Sequence, residues 1–392
     1  MMTVTNKYKS DTLEYKILRG ADKIGANLLE FSYKDTKILV EFGCELDNEE
    51  GLTAQEQELI EAGYDAAIIS HYHGDHAANI AELKCPVYMG QKCKAVMEIQ
   101  TEYTRVKMPK EVKTFRSHKP FRIGAIKITP YLCDHSAFDS YMLLIEGGGK
   151  KILYTGDYRS SGRKDFEKLL NKLPSEVDVL ITEGTNWGRI TPNLSEKELE
   201  QQAVEIIQKS DKPIFVLQSS TNIDRLVSFF RAAKNLKFYI DDYQAQICNA
   251  VEGNIPRPDI FPNVYAFMSR GFRGNRYEKY NKMKNKISRK AIGKQNKYVI
   301  IVHCSHLDYI KKLSHNEKAD LNGAILIYSL WDGYMARDDM KAFLNEITDL
   351  GIKIVTLHAS GHADEDTVKR LIMQVNPKKV ECIHTEKNSS EK

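Results

Sequence analysis

The feature that most constrains this chain is Ala67-Ile68-Ile69-Ser70-His71-Tyr72-His73-Gly74-Asp75-His76, an apolar run that passes directly into three histidines and an aspartate within six residues. On a helix the side chains of residues i and i+2 diverge by about 200°, so His71 and His73 would not share an ion there. In an extended segment leaving a strand they project to the same side. The segment is therefore predicted as a strand that ends in a loop. Gly74 is expected to permit a sharp turn aiming Asp75 and His76 at a different point, with the first turn of a helix from Ala77 onward. Four ligands from six residues do not readily surround one ion, so two ions are expected.

A site with two ions needs donors from elsewhere, and the chain supplies them at the ends of other apolar runs. Asp134-His135-Ser136 follows the strand-like Ile126 to Tyr131, Thr155-Gly156-Asp157 follows Ile152-Leu153-Tyr154, and His384 ends the run Cys382-Ile383. Each places a donor where the preceding backbone is rigid. His118, His303, His306, His315 and His358 lack such a setting and receive no role.

Short runs rich in branched residues recur along the chain. Ile38 to Val40, Ala66 to Ile69, Ile152 to Tyr154, Val179 to Ile181, Ile214 to Leu217, Val299 to Val302, Ala324 to Tyr328 and Ile354-Val355 read as buried strands. Helical patterns lie between them: Ser195 to Lys209, with Ser195 as N-cap and Glu198 completing a capping box, then Ile223 to Ala233, Asp338 to Leu350 and Asp364 to Val375. The alternation predicts an α/β protein. Gly147-Gly148-Gly149-Lys150 lacks the spacer and the Ser or Thr of a phosphate loop and is predicted as a hairpin turn.

Composition sets the setting. With 42% hydrophobic and 28% charged residues the chain can bury a large core, and disorder is excluded. No apolar run approaches the ~18 to 20 residues of a membrane span, and the first residues lack a secretory core, so a cytoplasmic protein is expected. The 7 cysteines are scattered and form no zinc knuckle, which agrees with free thiols in a reducing compartment. From Arg270 to Lys297 eleven Lys and Arg stand against one acid, Glu278, so this stretch carries +10 and the rest −6 within a total of +4. Such a segment suits a polyanion, and Phe272, Tyr277 and Tyr280 interleave with it as single-strand stacking would favour. A solvated lysine-rich loop is the plainer alternative.

His71-Tyr72-His73-Gly74-Asp75-His76, His135, Thr155-Gly156-Asp157 and His384 together resemble the ordered ligand motifs of the metallo-β-lactamase superfamily. That resemblance implies an αβ/βα sandwich with two zinc ions between its sheets. His71, His73 and His135 would hold one ion and Asp75, His76 and His384 the other, with Asp157 between them; the mixed His and Asp set also accepts manganese. One departure is visible: Glu41-Phe42-Gly43 stands where the family usually carries an aspartate before the glycine, so support of the histidine loop is expected to be arranged differently.

The 179 positions between Glu183 and His362 leave room for an inserted domain. Thr182-Glu183-Gly184-Thr185, Ser360-Gly361-His362-Ala363 and Ile383-His384-Thr385-Glu386 resemble the three further motifs of the β-CASP nucleases, most closely the RNase J-like ribonucleases. Lys23-Ile24-Gly25-Ala26-Asn27 is similar to the family's opening strands. The histidine in the third motif links the chain to RNA rather than DNA. The implied organisation is a metallo-β-lactamase domain over 1–190, a β-CASP-like α/β insert over 191–350, and a return to the first domain over 351–392. Six residues follow Glu386, so the short form without the extra C-terminal domain is expected. The sequence does not fix an oligomeric state.

The implied function is a metal-dependent phosphodiesterase acting on single-stranded RNA. Asp75 is expected to take the proton of the attacking water, and His362, oriented by Glu183, to contact phosphate or leaving-group oxygens. Ser219, Ser220, Thr221 and Asn222 end a strand and lead into a helix, where hydroxyls and unpaired N–H groups suit a phosphate; an ordinary N-cap at Ser220 or Thr221 would explain them equally. The competing readings are a hydrolase of a lactam, thioester or lactone, a DNA nuclease, and a nucleic-acid-binding protein that has lost catalysis.

Overall fold

The computed structural model describes residues 10–45, 52–189, 193–268 and 274–386. Arg270, Phe272 and Arg273, which the basic stretch includes, lie outside them. The chain divides into two compact units, one of Met1–Pro192 with Gly361–Lys392 and one of Asn193–Ser360. The described residues form three six-stranded sheets.

The larger unit holds two of these sheets. The first runs β1 (Ser10–Arg19), β2 (Leu28–Lys34), β3 (Thr36–Val40), β4 (Ala66–Ile68), β5 (Val87–Gly90) and β6 (Val112–Phe115), antiparallel as far as β3 and parallel beyond it. The second begins with β7 (Phe121–Ile123), β8 (Ile126–Cys133), β9 (Ser140–Gly147) and β10 (Lys150–Tyr154) as an antiparallel meander, to which β11 (Val179–Glu183) adds in parallel. Gly147 to Gly149 make the β9–β10 hairpin turn, as the sequence predicts.

Side-chain alternation explains how these strands stack. In β9, Leu143 and Ile145 join Ile38, Val40, Ile68 and Phe31 of the first sheet in one core, while Met142 and Leu144 point the other way. The same division separates Ile152 and Tyr154 from Leu153, and Val179 and Ile181 from Leu180. Because both faces of the second sheet are buried, its central strands read as unbroken apolar runs rather than alternating ones. Its outer face is covered by the helices Phe166–Leu170 and Glu365–Val375 through Phe166, Leu169, Leu170, Val368, Leu371 and Val375. Their N-caps are aspartates: Asp165 accepts from the Lys168 N–H at 3.0 Å and Asp364 from that of Thr367 at 2.8 Å.

The smaller unit carries the third sheet, wholly parallel, with strands β12 (Ile214–Leu217), β13 (Phe238–Asp241), β14 (Val264–Phe267), β15 (Val299–Val302), β16 (Ile325–Tyr328) and β17 (Lys353–Thr356) in the order β14-β13-β15-β12-β16-β17. The helix Glu196–Lys209 begins with the predicted capping box, Ser195 accepting from the Glu198 N–H while Glu198 accepts from that of Ser195. After this insertion the chain returns as β18 (Lys379–Ile383), which pairs in parallel with β11 and completes the second sheet.

A fully buried ion pair ties the smaller unit together. Arg225, on the helix Ile223–Ala233, meets Glu196 Oε1 at 3.1 Å and donates to Ser329 Oγ at 2.6 Å and to the Ala359 carbonyl at 2.8 Å, while Ser228 donates to Glu196 Oε2 at 2.6 Å. Neither charge is exposed. Removing one partner strands the other, and the expected cost of Arg225→Met is about 3 to 5 kcal/mol, or roughly 10 °C in the unfolding midpoint of this unit. A thermal scan followed by near-UV circular dichroism measures it; a loss under about 1 kcal/mol would show that the pair is replaceable by packing alone.

Candidate metal centre

All the predicted metal ligands, with Glu183 and His362, belong to the larger unit, and all but His362, which precedes the helix Glu365–Val375, end or follow a strand. His71, His73, Asp75 and His76 follow β4, His135 follows β8, Asp157 follows β10, Glu183 is the last residue of β11, and His384 follows β18. The ends of β8, β10, β11 and β18 fall on one edge of the second sheet, which gathers donors from distant stretches of sequence.

Three groups of donor atoms result, each with its members within 4.8 Å of one another: His71, His73 and His135; Asp75, His76, Asp157 and His384; and Asp157, Glu183, His362 and His384. In the first, the ring centroids of His71 and His73 are 4.6 Å apart and His135 Nε2 lies 3.0 Å from His73 Nδ1. In the second, His384 Nε2 is 3.1 Å from Asp75 Oδ2. The groups meet at one atom: Asp157 Oδ2 lies 3.2 Å from His76 Nε2, 3.8 Å from His135 Nε2, 3.9 Å from His384 Nε2 and 3.5 Å from His362 Nδ1.

The ring nitrogens that face away from these groups have partners of their own. His71 Nδ1 is 2.9 Å from Ser70 Oγ, His135 Nδ1 is 2.6 Å from the Gly361 carbonyl, and His384 Nδ1 is 2.7 Å from Thr185 Oγ1. Such contacts fix each ring and its tautomer. Thr185 also donates to Glu183 Oε2 at 2.7 Å, and Glu183 Oε2 lies 2.9 Å from His362 Nδ1, so one carboxylate serves both histidines. The other Glu183 oxygen accepts from the Tyr158 N–H at 2.8 Å.

Glu41 answers the expectation of a different support for the histidine loop. It is fully buried, in left-handed backbone conformation at φ 63°, and its carboxylate accepts from the Ser70 N–H and the Tyr154 hydroxyl while lying 3.4 Å from His76 Nδ1. The longer side chain thus reaches the loop just before His71 and the back of His76 together. His384 shares the left-handed conformation at φ 53°. Backbone strain of this kind, of order 1 to 3 kcal/mol per residue, clusters at functional sites.

Two expectations about the histidine loop are corrected. The helical turn is Gly74–Ala77, beginning at Gly74 rather than at Ala77, and His73 in extended conformation is its N-cap. Nor is Gly74 the glycine the loop requires, since a Cβ there would meet nothing within 4 Å. Gly43 is that glycine: its Cβ would fall 1.7 Å from the Asp75 carbonyl, where the chain passes against the Gly74–His76 backbone. Asp134 turns away from the donor groups. It binds Arg159 Nε at 2.6 Å and accepts from the Arg163 and Lys164 N–H groups at 2.8 and 2.6 Å, anchoring the loop after Asp157.

The electrostatics separate the groups. Burial, then the charge of neighbouring rings, holds His71 and His135 well below the usual imidazole range, and burial leaves His73 at about 4, so this group offers neutral nitrogen lone pairs. In the second group burial favours the neutral acids, but the histidines outweigh it: His76 and His384 hold Asp75 low, and His384, His76 and His362 hold Asp157 well below the carboxylate range. Against its own burial, His76 is pushed well up by Asp157, Asp75 and Glu41. This is a pocket that attracts positive charge. His362, its burial opposed by Glu183 and Asp157, is raised to about 9.

The donors fit divalent cations. His71 Nε2 and Asp157 Oδ2 are buried without a hydrogen-bond partner, and unsatisfied buried acceptors converging from several strands are what a cation satisfies.

In the smaller unit, Asn222 rather than Ser220 or Thr221 caps the helix Ile223–Ala233, accepting from the Arg225 N–H at 3.1 Å. Ser219 Oγ is 3.0 Å from Thr221 Oγ1, and Ser220 Oγ is 2.8 Å from His303 Nε2, while His306 Nε2 lies 3.1 Å from Asp241 Oδ2. Sequence alone gives His303 and His306 no role because their partners lie on other strands. Adjacent strands β12 and β15 lead to β13 and β16, which flank them on opposite sides; in parallel sheets a ligand crevice forms where connections diverge in this way.

Residues 39–218 match the family described as beta-lactamase superfamily domain, and residues 347–392 the one described as Zn-dependent metallo-hydrolase RNA specificity domain. Ribonuclease J of Mycoplasma genitalium is 23% identical over 94% of this chain and 67% of its own length. Cleavage and polyadenylation specificity factor 73 of Drosophila melanogaster is 22% identical over 97% of this chain and 61% of its own length. Endoribonuclease YSH1 of Yarrowia lipolytica is 27% identical over 55% of this chain and 29% of its own length. The chain thus spans from under a third to about two thirds of these relatives. A crystal structure of a protein of unknown function from Enterococcus faecalis V583 shares the fold, with a TM-score of 0.78 at 19% identity over 96% of this chain and 95% of that one.

Proposed function

We propose that the chain is a metal-dependent ribonuclease that cleaves phosphodiester bonds of single-stranded RNA, a reading supported by its matches to the beta-lactamase superfamily domain and to the Zn-dependent metallo-hydrolase RNA specificity domain. The observation that carries this reading is the approach of both histidine-containing groups to one carboxylate oxygen, Asp157 Oδ2. The proposed ligands are His71, His73 and His135 for one divalent ion and Asp75, His76 and His384 for a second, with Asp157 shared; zinc is the expected metal. When bound, such ions polarise the phosphate and acidify water.

The chain's own groups supply the rest. Asp75 takes the proton released by the attacking water. His362, held at Nδ1 by Glu183, directs its other ring nitrogen to a phosphate or leaving-group oxygen, and the Glu183 carboxylate behind it favours the protonated, donating ring. The Glu183–Thr185–His384 contacts couple the ring's orientation to a proposed ligand. The insert, read as a β-CASP-like domain over 191–350, contributes RNA contacts through Ser219, Ser220, Thr221, Asn222 and the basic stretch after Arg270. The divergence of the β12 and β15 connections supports a ligand position at Ser220, although Asn222 is engaged as an N-cap. The RNA-specificity match weighs against the small-molecule reading. Among the described residues no helix is long and apolar enough to cross a membrane; the proposed setting is the cytoplasm, in keeping with seven free cysteines.

Labelled single-stranded RNA, incubated with the metal-loaded protein, should be cleaved, and chelation should abolish cleavage. Comparing 5′-monophosphorylated with 5′-triphosphorylated substrates reads the direction of attack. RNA left intact by a preparation that hydrolyses a chromogenic lactam would contradict the proposal.

A further inference from the structure

The second donor group has a neighbour that is neither histidine nor acid. Asn27 is 1% exposed, and its amide nitrogen lies 3.2 Å from His76 Nε2, the same ring atom that faces Asp75 and Asp157. Donor atoms around a tetrahedral divalent ion with bonds of about 2.05 Å stand roughly 3.3 Å apart. The Asn27 amide is therefore at the spacing of a ligand from His76, not at that of a bystander.

As oriented, this amide is poorly used. Its oxygen is buried without a partner, and its N–H₂ points at the lone pair His76 would give to a cation. The two ends of an asparagine amide differ little in shape, and their assignment follows from the hydrogen-bond network. A half-turn resolves both faults, setting oxygen beside the ion and withdrawing the competing donor. We propose that Asn27 is a further oxygen donor to the second cation group, its amide oxygen turned toward the ion beside His76.

The surrounding backbone holds the side chain to this place. The Asn27 N–H donates to the Asp75 carbonyl at 3.0 Å, and its own carbonyl accepts from the Gly43 N–H at 3.2 Å, so the residue is pinned to the segment that carries Asp75 and His76. On the other side Gly20, at φ 87°, leaves the room: a Cβ there would stand 2.4 Å from Asn27 Oδ1. The Gly20 carbonyl also accepts from the His384 N–H at 2.7 Å. Gly20 and Asn27 thus bear on Asp75, His76 and His384 together. An amide oxygen beside two carboxylates makes this group richer in oxygen than the all-histidine one, which favours a harder cation such as manganese at this position.

The inference rests on the second group being a cation site, and the test separates the two. Metal-free protein is titrated calorimetrically with zinc chloride and with manganese chloride. The unsubstituted chain should take up two equivalents. Asn27→Ala, which leaves the backbone hydrogen bonds in place, should keep the first and weaken the second about 10- to 100-fold, with the larger loss for manganese. Asn27→Ser, too short to reach, should behave like the alanine variant and guards against a folding defect in it. Asn27→Asp, with oxygen at both positions, should retain the second affinity within about threefold. If the unsubstituted chain takes up no second equivalent, the metal-centre reading itself fails. Two equivalents with unchanged affinity in Asn27→Ala would overturn the donor role alone, and equal weakening of Asn27→Asp and Asn27→Ala would show that the nitrogen is the working end.

Discussion

Asp157→Ala is expected to lose both metal equivalents and to lower RNA cleavage by more than about a thousandfold. Asp157 Oδ2 lies within 4 Å of ring nitrogens from both histidine groups, those of His135, His76 and His384. Without it the three-histidine group keeps neutral nitrogens but no negative charge to offset a divalent ion, and the second group loses one of its two carboxylates. Folding should survive the change. The strand before Asp157 is held by its own core residues, Ile152, Leu153 and Tyr154, rather than by the carboxylate. Metal analysis and circular dichroism on one preparation separate these effects: a folded variant with full metal content would remove Asp157 from the centre.

His362→Ala should do the reverse, leaving metal content intact while cleavage falls about 10²- to 10⁴-fold. The ring belongs with Asp157, Glu183 and His384 in the third donor group, yet it differs from the other members. Its side chain keeps 24% exposure against 1% for Glu183 and 2% for Asp157, as a group that must meet substrate requires. Its Nδ1 is held by Glu183 at 2.9 Å, which anchors the ring from behind. His362→Gln should recover part of the loss if hydrogen-bond donation matters more than proton transfer. An alanine variant with unimpaired turnover would exclude the role, and one that sheds metal would make His362 a ligand instead.

The ligand set is legible in the sequence because each donor closes an apolar run, and packing alone seldom calls for a histidine or aspartate where a buried strand stops. The strands, the capping box at Ser195 and the β9–β10 turn are legible for the same local reason. What stayed hidden depends on distance in the chain. Asn27 stands 49 positions before the His76 ring it touches, and Thr185 stands 199 before His384. Both fall inside motifs that stand out, Lys23 to Asn27 and Thr182 to Thr185, yet nothing near either in sequence marks the ring it meets. Gly74 drew attention by its place inside the motif, whereas the backbone crowding falls on Gly43, and only the path of the chain against Asp75 reveals that. Asp134 reads as a donor beside His135 until Arg159 claims it. At Glu41 the sequence signalled a change of residue, but only the structure gives its consequence, one carboxylate reaching both Ser70 and His76.

Diffraction from zinc-soaked crystals, recorded at the zinc absorption edge, tests the metal centre most directly. Two anomalous peaks are predicted, one among His71, His73 and His135 and one among Asp75, His76 and His384, both against the Asp157 carboxylate. A single peak, or two peaks with Asp157 outside coordinating distance of either, would contradict it.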